Sequence, residues 1–205
     1  MNSSNNVFPE SILIDNVMEY MNHGAIVGNL AKEIAKRMGM DEEFCYDMSI
    51  AGMMHDIGKV KIRTYIEERF EKVMFVDEAR YYRMHPTTGY ALLKEQGFSD
   101  RILTAVLDHH ENYDGSGYPN NLKGEGISVE GRILHICDSF GRNMMNQKVS
   151  SWKDLRIDEA MRDMVEEAKD FDMKIFLLFQ AYVYSEEFQN FLEELDLRMK
   201  DMKDK

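Results

Sequence analysis

The sequence predicts an all-α protein on three observations: only three prolines interrupt 205 residues, Met, Leu, Ala, Glu and Lys are abundant, and no stretch alternates apolar with polar residues as a half-buried strand would. With 44% hydrophobic and 30% charged residues, the composition is that of a soluble globular protein. The length suits one domain, 10–205, behind a loose Asn/Ser-rich lead, 1–9. A formal net charge of −12 gives no broad basic surface for tracking a nucleic-acid backbone, so duplex DNA or RNA is excluded as the main partner. Cys45 and Cys137 stand in apolar contexts without ligand-like spacing, which suits a reducing cytoplasm. The longest apolar run, Ile175 to Phe179, is too short to span a bilayer, so no membrane is expected.

Pro9 and Glu10 suit the opening of a first helix. A second stretch follows, with His23, Val27, Leu30, Ile34 and Met38 at helical spacing and Gly39 as its stop. Phe44 to Ile57 reads as the next helix, stopped by Gly58. Asp77 to Met84 is expected to be helical and to end before Pro86, because proline disfavours helical geometry in the residue preceding it. Another helix runs on to about Gln96, and Ser99 caps one continuing to His110. Asn112 to Gly126, glycine-rich and polar, is a loop, after which Val129 to about Met145 resumes the helix. The tail, about 151–205, holds at least two more helices, with Phe188, Phe191, Leu195, Met199 and Met202 along one stripe. That stripe suits packing against its own domain better than a seam between two chains, and the oligomeric state stays open.

Chemistry enters with the histidines. Of the six, His23, His55, His85, His109 and His110 stand beside or between candidate carboxylates, whereas His135 falls outside the pattern and is expected to be packed or exposed. Glu19 and His23, four apart, share a helix face that continues through Val27 and Leu30 toward the core. His55 and Asp56 extend the stripe of Met48, Ala51 and Gly52, His109 and His110 extend that of Ile102 and Val106, and Asp138 lies near Ile133 and Cys137. Burying five imidazoles and three carboxylates is costly unless their lone pairs and charges are satisfied, and bound divalent cations satisfy most of them together. Nitrogen and oxygen donors without thiolate fit iron or manganese, and zinc is admissible. Two cations a few ångströms apart lower the pKa of a bridging water and hold a phosphate for in-line attack, so the expected nucleophile is a hydroxide and no serine or cysteine is needed.

His55-Asp56-Ile57-Gly58-Lys59, His85-Pro86, His109-His110-Glu111 and Asp114-Gly115-Ser116-Gly117-Tyr118-Pro119, in that order and spacing, resemble the signature of the HD-GYP domain family over roughly residues 15 to 185. The resemblance implies an HD-type helical bundle around a buried polynuclear metal site, and hydrolysis of cyclic di-GMP to linear pGpG, with a further step to GMP left open. It implies that His23, His55, Asp56 and Asp138 hold one metal and His85, His109 and His110 a second, with Asp56 bridging. Glu19 stands where members with three metals carry a glutamate. Lys59 is then a phosphate contact, Tyr118 lies beside the substrate, and the Gly117-Tyr118-Pro119 loop offers a surface to a partner protein.

Two departures bear on the substrate. After Asp138, Phe140 is followed by Gly141-Arg142 where the family has Asp-Ala and then a basic Arg-Pro-Tyr-Arg stretch, so Arg142 and Lys148 are the candidates to replace the missing positive charge. Between Lys59 and His85 the usual Lys-Pro-Gly turn gives way to an acidic run at Glu67-Glu68. These changes leave two other readings open: a different cyclic dinucleotide or nucleotide as substrate, or a low-turnover module that senses cyclic di-GMP or docks a partner.

Overall fold

The computed structural model describes residues 10–62, 80, 82–147, 149 and 151–203, the side chains of 10–19, 153 and 198–203 excepted. Helix α1 (Glu10–Arg37) is one continuous element of 28 residues where the sequence suggested two, and no proline stands inside it to break it. It ends at Gly39, whose φ of +77° lies in the left-handed region that glycine adopts without strain. Helix α2 (Glu42–Met54) opens on Asp41, whose carboxylate accepts the Phe44 N–H at 2.7 Å. It stops at His55 rather than at Gly58; the chain turns through His55 and Asp56, and helical structure resumes over 57–62, straight through Gly58. Gly58 is there for proximity, since a Cβ at that position would collide with the His85 carbonyl. The acidic run Glu67-Glu68 and half of the helix expected at Asp77–Met84 lie outside the described residues.

Helix α3 (His85–Glu95) carries Pro86 in its first turn, where the missing N–H is not needed. Helix α4 (Asp100–Asp108) is capped by Ser99, which accepts from the Ile102 N–H. The glycine loop follows, with a short 3-10 turn at Gly124–Gly126, and α5 (Val129–Asn146) begins behind the Ser128 cap. The tail holds three helices, α6 (Ile157–Glu166), α7 (Met173–Val183) and α8 (Glu186–Lys203). No strand occurs among the described residues.

One contiguous apolar core runs from Ile26 to Leu192. Helices α1 and α2 cross at its centre with glycine facing glycine: a methyl at Gly28 would stand 2.5 Å from the Ser49 carbonyl oxygen, and one at Gly52 would overlap the Gly28 backbone. That backbone contact brings His23 on α1 close to the end of α2. On the far side Phe140 of α5 meets Phe179 and Phe188 edge-on, with ring centroids 5.1 and 5.9 Å away. Each of these rings is fully buried, a contribution on the order of 2 kcal/mol apiece. The start of the tail stripe thus packs on its own core, while the side chains of Met199 and Met202 lie outside the described residues. Among the described residues, no helix is long and apolar enough to cross a membrane.

Candidate metal centre

Helix ends deliver most of the imidazoles. His55 closes α2, His85 opens α3, and His109 closes α4 with His110 directly after it, while His23 and Asp138 project from within α1 and α5. Three rings are fixed in the same way: the Nδ1–H groups of His55, His85 and His109 donate to the carbonyls of Gly52 (2.7 Å), Tyr82 (2.6 Å) and Val106 (2.7 Å), each three residues back. Such a bond sets the tautomer and leaves the Nε2 lone pair free for a ligand.

The donor atoms of His23, His55 and Asp138 lie within 4.8 Å of one another, and so do those of His85, His109 and His110. Asp56 stands between these triads, with Oδ2 3.5 Å from His55 Nε2 and Oδ1 3.3 Å from His85 Nε2. His23 Nε2 is 3.0 Å from Asp138 Oδ1, joining α1 to α5. The arrangement is poorly satisfied by protein alone. His55 Nε2 and Asp56 Oδ1 are buried without a hydrogen-bond partner, and the Nε2 atoms of His85 and His109 face each other at 3.1 Å with both Nδ1 atoms already donating. Two lone pairs at that separation repel, and orphaned buried polar atoms are costly; divalent cations between the triads relieve both, so the donor set fits metal binding.

Electrostatics keeps most donors in the form a metal requires. Burial holds His109 and His110 well below the ordinary imidazole range, and holds His85 at about 4 against the pull of Asp56. Burial pulls the Asp56 carboxyl up, but His55 and Lys59 outweigh it and bring the group to about 2. Asp138 also ends well below the usual carboxylate range, because Arg142, His23 and His55 overcome its burial. His55 is the exception: burial opposes its charge, yet Asp56 and Asp138 lift it above the ordinary value. Lone pairs and anions are therefore in place for cations to bind.

Around the donors the surface opens into two clefts. One of about 240 Å³ is lined by Tyr20, His23, Asp56, Lys59, Arg142 and Asn146, among others. The second, about 490 Å³, is lined by Lys59, Arg83, His85, His110, Tyr118 and Arg142, among others. Lys59 Nζ is 2.7 Å from Asp56 Oδ2, while Arg142 Nη2 is 3.4 Å from Asp138 Oδ2 and donates to Ser139 Oγ at 3.2 Å. Tyr118 stacks on the His110 ring with centroids 4.8 Å apart, and burial pushes its hydroxyl up to about 12. Glu111, though buried beside His110, accepts the Asn120 N–H (2.6 Å) and the Leu122 N–H (2.9 Å), so it organises the glycine loop.

The structure brings His23, His55, Asp56, His85, His109, His110 and Asp138 together, and places Lys59, Tyr118 and Arg142 beside them. Glu19 lies on α1 one turn before His23, with its side chain outside the described residues, as is the whole of Lys148. His135 is packed, as one of its two expected placements had it, and its Nδ1–H donates to the His109 carbonyl at 2.8 Å. Sequence reasoning passed over Arg83, whose guanidinium carbon sits 5.0 Å from the Tyr118 ring centroid. The only sequence signal was a basic residue two positions before His85.

Known proteins resemble the chain in sequence and in fold. A cyclic di-GMP phosphodiesterase of Thermotoga maritima is 34% identical over 149 residues, 72% of this chain and 40% of that protein. The cyclic di-GMP phosphodiesterase response regulator RpfG of Xanthomonas campestris pv. campestris is 36% identical over 118 residues, 56% of this chain and 30% of that protein. The chain thus spans well under half the length of these relatives. A crystal structure of a cyclic GMP-AMP specific phosphodiesterase of Vibrio cholerae shares the fold at a TM-score of 0.66 and 17% identity, covering 88% of this chain and 48% of that one. The family model described as HD domain matches residues 8–175, so this helical protein with its ring of buried histidines belongs to the HD domain family.

Proposed function

We propose that the protein is a metal-dependent phosphodiesterase that hydrolyses cyclic di-GMP to linear pGpG, with the further cleavage to GMP left open. The observation that carries this reading is the pair of buried triads joined by Asp56 beside clefts that also contain Lys59. His23, His55, Asp56 and Asp138 would hold one ion and His85, His109 and His110 a second, with iron or manganese favoured by the mixed nitrogen and oxygen donors and zinc admissible. Glu19 would add a third. Cations bound there supply Lewis acidity and lower the pKa of water.

The chain's own residues do the rest. Asp56, ionised and central, links the two groups of donors. Lys59 is within reach of both Asp56 and either cleft, where an ammonium can neutralise a phosphate oxygen. Tyr118, stacked on His110, walls the larger cleft and shields that side from water, and Arg142 supplies positive charge where the two clefts meet. The named activities of the Thermotoga and Xanthomonas relatives support the choice of substrate. Gly141-Arg142 in place of the family's Asp-Ala, with the basic stretch missing after it, favours a second reading, in which another cyclic dinucleotide or a nucleotide is preferred. We place the activity in the cytoplasm, where the buried free thiols of Cys45 and Cys137 stay reduced. A partner protein at the glycine loop would meet exposed Ser116 and Asn120, since Gly117 is buried and Tyr118 and Pro119 are half-buried.

The test is anaerobic turnover of cyclic di-GMP by protein loaded with iron or manganese, beside an Asp56→Ala variant and a panel of cyclic dinucleotides. Product that disappears in the variant supports the reading. Tight binding without product would make the protein a sensor, and turnover of a different panel member would reassign the substrate.

A further inference from the structure

Three cations line the larger cleft, and they are not equivalent. Lys59 is paired with Asp56 at 2.7 Å, and Arg142 is drawn toward Asp138 at 3.4 Å. Their charge is partly spent on the carboxylates of the donor cluster. Arg83, among the described residues, pairs with no carboxylate, although the protein carries 37 acidic residues against 25 basic ones. Its guanidinium lies instead over Tyr118, 5.0 Å from the ring centroid, and Tyr118 is itself stacked on His110. A cation held over an aromatic ring keeps its planar fork of N–H groups oriented and unused, the form suited to gripping a phosphate through two parallel bonds.

A cyclic dinucleotide carries two phosphodiesters on opposite sides of one ring. When one stands at the donor cluster with Lys59, the other must lie some way across the cleft, where the ligand's remaining negative charge needs a partner. We infer that Arg83, braced by Tyr118, grips this second, non-reacting phosphate and so selects ligands that carry two phosphodiesters. The assignment rests on the phosphodiesterase reading above. It also accounts for the loss of the basic stretch after Asp138, because a cation on the segment leading into α3, lining the same cleft as Arg142, takes up the same electrostatic task.

The experiment compares wild type, Arg83→Ala and Arg83→Lys on cyclic di-GMP and on bis(p-nitrophenyl) phosphate, which has a single phosphodiester. Binding of fluorescent cyclic di-GMP and metal content are measured alongside. Arg83→Ala should lose about tenfold more kcat/KM on cyclic di-GMP than on the single diester, mainly through KM, with a matching rise in Kd and full metal content. Arg83→Lys should recover part of the loss. Equal losses on both substrates, or no loss on cyclic di-GMP, would overturn the role of Arg83. A wild-type protein that cleaves the single diester yet neither binds nor cleaves any cyclic dinucleotide would overturn the parent reading and this one with it.

Discussion

His135 sits one layer behind the ligand candidates, its Nδ1–H closing on the carbonyl of His109 and its ring 5.1 Å from that of Phe171. Replacing it with leucine leaves that buried carbonyl unsatisfied, so His135→Leu should cost about 1–3 kcal/mol of stability and lower metal occupancy by loosening the end of α4. Urea unfolding and metal analysis check this, and a variant with unchanged stability and full metal content would remove the supporting role. The imidazoles also set a pH dependence. Burial holds His85 at about 4 against an ordinary 6.5, and holds His109, His110 and His135 below that value as well. On these rings the unfolded chain binds more protons than the folded one, so the stability they contribute is present above 6.5 and drains as pH falls toward 4. His55, raised by Asp56 and Asp138 over the opposition of burial, acts in the reverse sense and is outnumbered. The Tm of metal-free protein should therefore drop between pH 6.5 and 4, and a Tm that holds or rises there would contradict neutral rings. Removing Glu19 tests the ion count: metal per chain should fall by one in Glu19→Ala, and an unchanged ratio would eliminate the third ion.

At the scale of elements, the crossing of α1 and α2 decides how near His23 comes to His55, whose ring centroids are 5.1 Å apart. A methyl at Gly52 would overlap the Gly28 backbone, so Gly52→Ala must push the helices apart. A cost of about 1–3 kcal/mol is expected, together with weaker metal binding in the triad that includes His23. Calorimetry and metal titration report the two effects separately. The caps and stops of these helices show what the sequence could reveal. Ser99, Gly39 and the end of α3 near Gln96 were legible because their signals are local. The fusion of the first two segments into α1 and the passage of helix straight through Gly58 were not, since the absence of a breaker is a weak signal and Gly58 serves its close approach to the His85 carbonyl 27 residues away. The donor cluster was legible from residue type and order alone, because few other arrangements satisfy so many buried imidazoles. Arg83 and His135 were not, since their meaning lies in which neighbours they have or lack.

For the whole molecule, metal and fold are linked. Ions that bind only the folded chain stabilise it by mass action, about 2.7 kcal/mol at a hundredfold excess over Kd. Stripping them with a chelator should lower Tm, and restoring iron or manganese should raise it in proportion to occupancy. A Tm indifferent to both would mean that the cluster is structurally idle. The two triads also differ in how far apart their members lie along the chain: His85 and His109 are 24 positions apart, His23 and Asp138 115. As the chain is synthesised from its N-terminus, the local triad can assemble before Val129–Asn146 exists, whereas the distant one waits for it. An unfinished chain would hold Asp56 and the local triad, but only His23 and His55 of the distant one. The arrival of Asp138 is thus the step that completes the set of donors.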